Sequence, residues 1–166
     1  MQFSLNKLKI TQRFGENPQI YSKFGHKGHN GIDCIPVDSR GRKVLGDSMF
    51  AMLPGVWHLL TEQYANGKYY GYGAAWKLDY GLGNGTYYQF TFAHLKNRRK
   101  EYDGKNLHEG PRMAQMGNTG FSTGDHYHIT QKLFNRGKVV NWGNGYNGAI
   151  NPLPFLKKIG FKFINE

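Results

Sequence analysis

The chain has 166 residues, enough for one domain with a real hydrophobic core and too few for two ordinary ones. Its 23 glycines, 15% aromatic residues and 20% charged residues exclude a disordered chain and suit a β-rich domain with many tight turns. Lys and Arg number 22 against 11 for Asp and Glu, a formal net charge of +11, so attraction to a polyanion is expected, whether nucleic acid, membrane surface or anionic bacterial wall.

The opening stretch, MQFSLNKLKITQRFG, has no continuous apolar run and no small-residue cleavage site, and no later segment approaches a membrane span. The chain as it stands therefore reads as soluble and without an export signal. Residues 1–28 are loop-rich with one strand, LKITQRF, followed by the turn signals GENP and SKFGHKGH. The only cysteine, Cys34, has no partner for an internal disulfide; beside Asp33 in an extended stretch it points the other way, as a small buried thiol.

YGAAWKLDY (72–80) and TYYQFTFAH (86–94) flank GLGNG, whose Asn84-Gly85 is a hairpin turn pair, so an antiparallel hairpin is expected. A period of two puts Phe90, Phe92 and His94 on one face, with His94 at the strand end beside the core. GNTGFSTG (117–124) reads as a loop, and HYHITQKLF after it as a strand with His126, His128 and Thr130 on one face and Tyr127, Ile129 and Leu133 on the other. The tail PLPFLKKIGFKFINE is a short basic amphipathic helix or strand that closes the domain. With helix scarce and no internal repeat or linker, the fold class is all-β.

GHNGID carries His29 and Asp33 four residues apart with Gly31 midway. The glycines argue against a helix; in an extended segment positions 29, 31 and 33 share a face, and Gly31 leaves space for an ion. One neutral imidazole, a carboxylate and a second imidazole make a plausible catalytic zinc set with the fourth position left to water. Seven histidines make a single H-x-H or H-x-x-x-D unremarkable by itself; the two together with His94 are more specific. Residues two apart on a strand stand only about 6.6–6.8 Å apart, so spacing does not decide which of His126 and His128 binds the ion. No zinc-finger spacing, RNA-recognition signature, basic helix or phosphate-binding motif supports a specific nucleic-acid partner.

GHNGID, FAHL and GNTGFSTGDHYH, in that order, resemble the motifs of the lysostaphin-type (LytM-type) zinc metallopeptidases, which cut peptide bonds in bacterial peptidoglycan. The resemblance runs from Phe14 to Phe155, includes GYG at 71–73 and Asn151-Pro152, and implies a single peptidase domain over 1–166 with 156–166 as a C-terminal extension. It implies antiparallel sheets around an open groove with one zinc ion at its floor, held by His29, Asp33 and His128. His126 and His94 match the family's unligated catalytic histidines. Where the family commonly has GPHLH this chain has GDHYH: Tyr127 is a packing substitution, and Asp125 either bonds a neighbouring histidine or begins the strand in solvent. Tyr21 could correspond to a tyrosine that some members place near the oxyanion, whereas His26 is expected in an exposed loop and His58 and His108 have no partner pattern.

The resemblance implies hydrolysis in the stem or cross-bridge of peptidoglycan, with small residues such as glycine or alanine at the cut bond. His126 is expected to act as general base, and His94 to donate to the oxyanion or the departing amine. Positive charge suits an anionic wall bearing phosphorylated polymers. Without an export signal, the chain looks more like a phage product than a housekeeping hydrolase, either a lysin or a tail component alongside other phage tail proteins, with a piece cut from a larger exported protein as the alternative. Two other classes compete: a non-enzymatic wall-binding or structural tail module that keeps the fold, and a basic zinc protein acting on nucleic acid.

Overall fold

Runs of alternating apolar and polar residues, many of them bounded by glycine, direct most of this chain into strands. The computed structural model describes Ser4 and residues 6–164. In chain order these hold β1 (Lys7–Gln12), α1 (Pro18–Tyr21), β2 (Ile32–Val37), β3 (Ser48–Phe50), β4 (Gly55–Gln63), β5 (Tyr69–Gly83), β6 (Thr86–Ala93) and β7 (Leu95–Lys96). There follow β8 (Lys105–Leu107), β9 (Arg112–Met116), β10 (Tyr127–Asn135), β11 (Lys138–Val139), β12 (Ala149–Ile150), α2 (Leu153–Lys158) and β13 (Phe163–Ile164).

The larger sheet has the order β13-β1-β2-β10-β6-β5-β4-β8, with β11 and β12 also pairing β10; β3, β9 and β7 form the smaller one. The fold is β-rich and antiparallel, with one exception: β13 lies parallel to β1. The tail thus supplies both a helix and a strand. Leu156 and Phe161 are buried in the core, and the Phe155 ring meets those of Tyr88 and Phe90 at 5.0 and 5.5 Å.

The expected hairpin is β5 and β6. Its two-residue loop has positive φ at both Asn84 (52°) and Gly85 (74°), the combination that matches the twist of paired strands and that Asn-Gly tolerates best. Across the sheet, Leu59, Trp76, Phe92, Ile129 and Ile32 stand opposite one another on β4, β5, β6, β10 and β2. This row belongs to the core face, and the smaller sheet covers it with Met49, Met113 and Met116 while the Trp76 indole donates to the Met113 carbonyl at 3.2 Å. Cys34 and Tyr127 lie on the same face, both fully buried. One residue out of phase, the opposite face carries Asp33, His128 and Ala93 in register on β2, β10 and β6. No helix among the described residues is long and apolar enough to cross a membrane.

Candidate metal centre

On that second face, side chains from two distant parts of the chain converge. Asp33 Oδ1 lies 2.8 Å from His128 Nδ1 and 3.2 Å from His29 Nε2, and the two imidazole nitrogens are 2.9 Å apart. His29 Nδ1 is 3.1 Å from the Arg13 carbonyl, which can only accept, so its proton sits there and Nε2 presents a lone pair. Two lone-pair atoms therefore face His128 Nδ1. A single proton on that nitrogen cannot serve both acceptors well at once; a cation serves all three. The spacings are close to the edge of about 3.3 Å in a tetrahedron with bonds of about 2.0 Å, so the donor set fits a zinc-sized ion.

Gly31 contributes differently from its sequence expectation. A Cβ there would collide with the Ile129 carbonyl and stand 2.9 Å from His128 Cε1. The space it leaves is filled by β10 and the His128 ring, not by an ion.

The two further imidazoles also reach this face. His126 precedes β10 and turns its Nε2 to within 3.5 Å of Asp33, while its Nδ1 donates to the Gly124 carbonyl at 2.7 Å. His94 follows β6, and its ring centroid lies 4.8 Å from that of His126 and 5.6 Å from that of His128. Strict alternation would have left it with Phe90 and Phe92 on the core face. A left-handed backbone at His94 (φ 61°) breaks the alternation and swings the ring to the other side. The fold holds this strained residue from both ends: its N–H donates to Tyr72 O (3.0 Å) and its Nδ1 to Thr119 O (2.7 Å).

Thr119 belongs to the loop between β9 and β10, which is pinned to GYG of β5. Phe121 N donates to Gly71 O (2.8 Å), Ala74 N to Thr119 Oγ1 (2.9 Å), and a Cβ on Gly120 would press on Gly73. Both motifs are visible in the sequence, but nothing in their residue types signals this task. Glu62, also at the groove, accepts the Tyr72 N–H.

Electrostatics set Asp33, His94, His126 and His128 apart. Burial tends to raise Asp33, but its interactions with His126, His128 and His29 outweigh it and hold the carboxyl far below the usual range. Burial lowers His94 to about 3, helped by repulsion from His128 and His126. Burial likewise lowers His128. His126 is also opposed by burial, yet the hydrogen bond and charge of Asp33 win and raise it. Tyr21, whose ring stands 5.0 Å from that of His29, is pushed up to about 12 by burial and by Asp33.

All five predicted site residues except His29 line one open groove of about 580 Å³, together with Tyr21 and Tyr72; His29 is buried beneath its floor. His26 differs from expectation, being half-buried at the groove, 3.0 Å from the Asn147 amide. Asp125 bonds neither histidine; its partner is Lys96 at 3.6 Å. Tyr127 buries its ring fully and donates its phenol to Asp47 Oδ2 at 2.6 Å, so it packs as expected and also anchors the strand. His58 lies 3.8 Å from Asp79, away from the site, and His108 is exposed.

No protein-family model matches the sequence, and no curated protein matches it. Solved structures do. The antimicrobial peptidase lysostaphin from Staphylococcus simulans aligns over 97% of this chain and 55% of its own, with a TM-score of 0.61 and 19% identity. The chain thus spans about half the length of that relative. The catalytic domain of the prophage-encoded protein EnpA from Enterococcus faecalis aligns over 87% and 88%, with a TM-score of 0.53 and 20% identity. A complex of SpoIIIAH and SpoIIQ aligns over 93% of this chain and 96% of that one, with a TM-score of 0.52 and 14% identity. The chain has the lysostaphin-like peptidase fold, with a buried His29, Asp33 and His128 group that can hold a metal ion.

Proposed function

We propose that the protein is a zinc-dependent endopeptidase that hydrolyses a peptide bond in the stem or cross-bridge of bacterial peptidoglycan. One observation carries this reading: three metal-type donors converge at the floor of a groove that is lined by two of them, Asp33 and His128, and by the two further imidazoles, His94 and His126. His29 Nε2, Asp33 Oδ1 and His128 Nδ1 would hold the ion. Bound there, zinc supplies a Lewis acid for the scissile carbonyl and brings the pKa of a water toward neutrality.

The protein's own groups divide the proton work. His126 accepts the proton of the attacking water at Nε2, because Asp33 supports the imidazolium that results, and passes it to the departing amine. His94 keeps its proton on Nδ1 for the Thr119 carbonyl, so its neutral ring offers Nε2 only as an acceptor, and burial resists its second protonation. On this reading it orients the water, in place of the donor role expected from sequence. The donor to the developing oxyanion is then the Tyr21 phenol, which stays protonated at working pH.

The test is a set of four variants. His94→Ala and His126→Ala should retain zinc and lose turnover by 10²-fold or more, on the order expected for positioned acid–base groups; Asp33→Ala and His128→Ala should lose zinc as well. Zinc content by mass spectrometry and release of muropeptides from purified walls measure the two. Full activity in His94→Ala and His126→Ala would overturn the assignment.

For the setting, the proposal is a phage product, either a lysin or a tail component that meets the wall beside other tail proteins; a solved structure of the same fold is the catalytic domain of a prophage-encoded protein. A fold shared with a protein solved in complex with a partner favours one alternative, a binding or structural module without turnover. Turbidity loss of purified walls that a chelator abolishes decides for the enzyme; binding without lysis decides for the module.

A further inference from the structure

The face of β10 that bears His128 continues through Thr130 to Lys132, so a lysine follows the candidate metal donors on the same row of the groove. Four residues of strand put its Cα about 13 Å from that of His128. Among the described residues Lys132 is the one Lys or Arg that lines the groove, and no ion pair to it is present. The two groove-lining carboxylates are otherwise engaged, Asp33 with its three histidines and Glu62 with the Tyr72 N–H.

Around Lys132 the wall is aromatic and polar. Its ammonium lies 5.3 Å from the centre of the Trp142 ring, which is 58% exposed despite its size. His26 and Asn147, bonded to each other, line the same end. A half-buried, unneutralised ammonium beside an exposed indole costs free energy that an incoming anion recovers. Burial and the nearby Lys77 both lower the lysine, and burial and Lys132 both lower His26, in keeping with an ammonium that has no counter-ion beside it.

We infer that Lys132 and Trp142 form a carboxylate subsite, which selects peptide substrates carrying a free carboxyl group within about four residues of the bond cut. The inference rests on the peptidase reading for its substrate. A stem peptide whose acidic residue is free, not amidated, has this chemistry. The cation positions the carboxylate, and the indole packs the adjoining chain.

The test uses pairs of synthetic stem peptides identical except that one carboxyl is free or amidated, with the zinc-loaded protein and its Lys132→Met variant. The wild type should prefer the free acid by about tenfold, the scale of one charge-assisted hydrogen bond, through KM and not kcat. In Lys132→Met the ratio should fall to near one. Calorimetric binding of the same peptides to chelator-treated protein should show the same preference and the same loss. Equal treatment of acid and amide by the wild type, or a preference that survives in Lys132→Met, overturns the subsite. If Lys132→Met instead loses only binding to a glycerol-phosphate polymer, the anion is wall phosphate and the carboxylate assignment is wrong. Should neither peptide be cut, the peptidase reading fails while the binding comparison still decides the subsite.

Discussion

His94 shows how much one residue depends on its surroundings. Its pKa falls from an ordinary value of about 6.5 to about 3 because burial and two neighbouring imidazoles oppose its charge. The unfolded chain therefore binds a proton between those values that the folded chain refuses, and stability is full above about pH 6.5 and declines as pH falls toward 3. His126 shifts the other way; its contribution is complete below about pH 6.5 and lost only as pH rises through its raised pKa, so it does not offset that slope. Melting temperatures of metal-free protein between pH 7 and pH 4 should fall, and His94→Gln should fall less steeply. An unchanged slope in that variant would remove His94 from the account.

Tyr127 makes a second residue-level case. It sits between the two site histidines and points to the opposite face, where Asp47 accepts its phenol and also the Asn6 amide at 2.5 Å. Removing the hydroxyl leaves a buried carboxylate short of a donor, so Tyr127→Phe should cost about 1–3 kcal/mol in denaturant unfolding. A neutral result would mean that water or Asn6 satisfies Asp47 unaided.

Among the elements, the junction of β2 with β10 matters most because it brings Asp33 opposite His128. The two strands approach so closely beside Gly31 that a methyl group there meets backbone and the His128 ring. Gly31→Ala should destabilise the protein by about 1–3 kcal/mol through overpacking and weaken zinc retention as the two donors separate. Thermal melting and competition with a chromogenic chelator would measure both effects; unaltered metal affinity would show that the strands can part without disturbing the donors. The loop at 117–124 plays the matching role for His94. Because Thr119 both bonds Ala74 and orients the imidazole, Thr119→Ala should lower turnover with less effect on zinc content.

For the whole molecule, the excess of cations spreads an attraction that no single contact explains. A net charge of +11 predicts that binding to walls bearing anionic polymers weakens steeply as salt screens it, since the Debye length falls from about 10 Å at 0.1 M to about 3 Å at 1 M. Cosedimentation with walls before and after removal of those polymers should show a salt-sensitive fraction only in the intact walls. Salt-insensitive binding would point to the groove alone.

Local physics made much of this legible beforehand. Alternating aromatic and β-branched residues around Asn84-Gly85 dictate a hairpin wherever they occur, and H-x-H on a strand must present both rings to one side. His29 and Asp33 could be singled out from their chemistry and spacing, whereas the choice of His128 over His126 rests on the family resemblance. What the chain order could not contain was their meeting. His29 and His128 are 99 positions apart, and only the pairing of β2 with β10 brings their nitrogens to 2.9 Å.

The side to which His94 turns was likewise beyond the sequence, because alternation is a local rule and a positive φ sustained by Tyr72 and Thr119 is a tertiary one. Lys132 reads as an ordinary basic residue until Trp142 and the groove enclose it. Patterns of residue type determine elements; the environment that sets a proton affinity, or leaves a charge without a partner, exists only after those elements have packed.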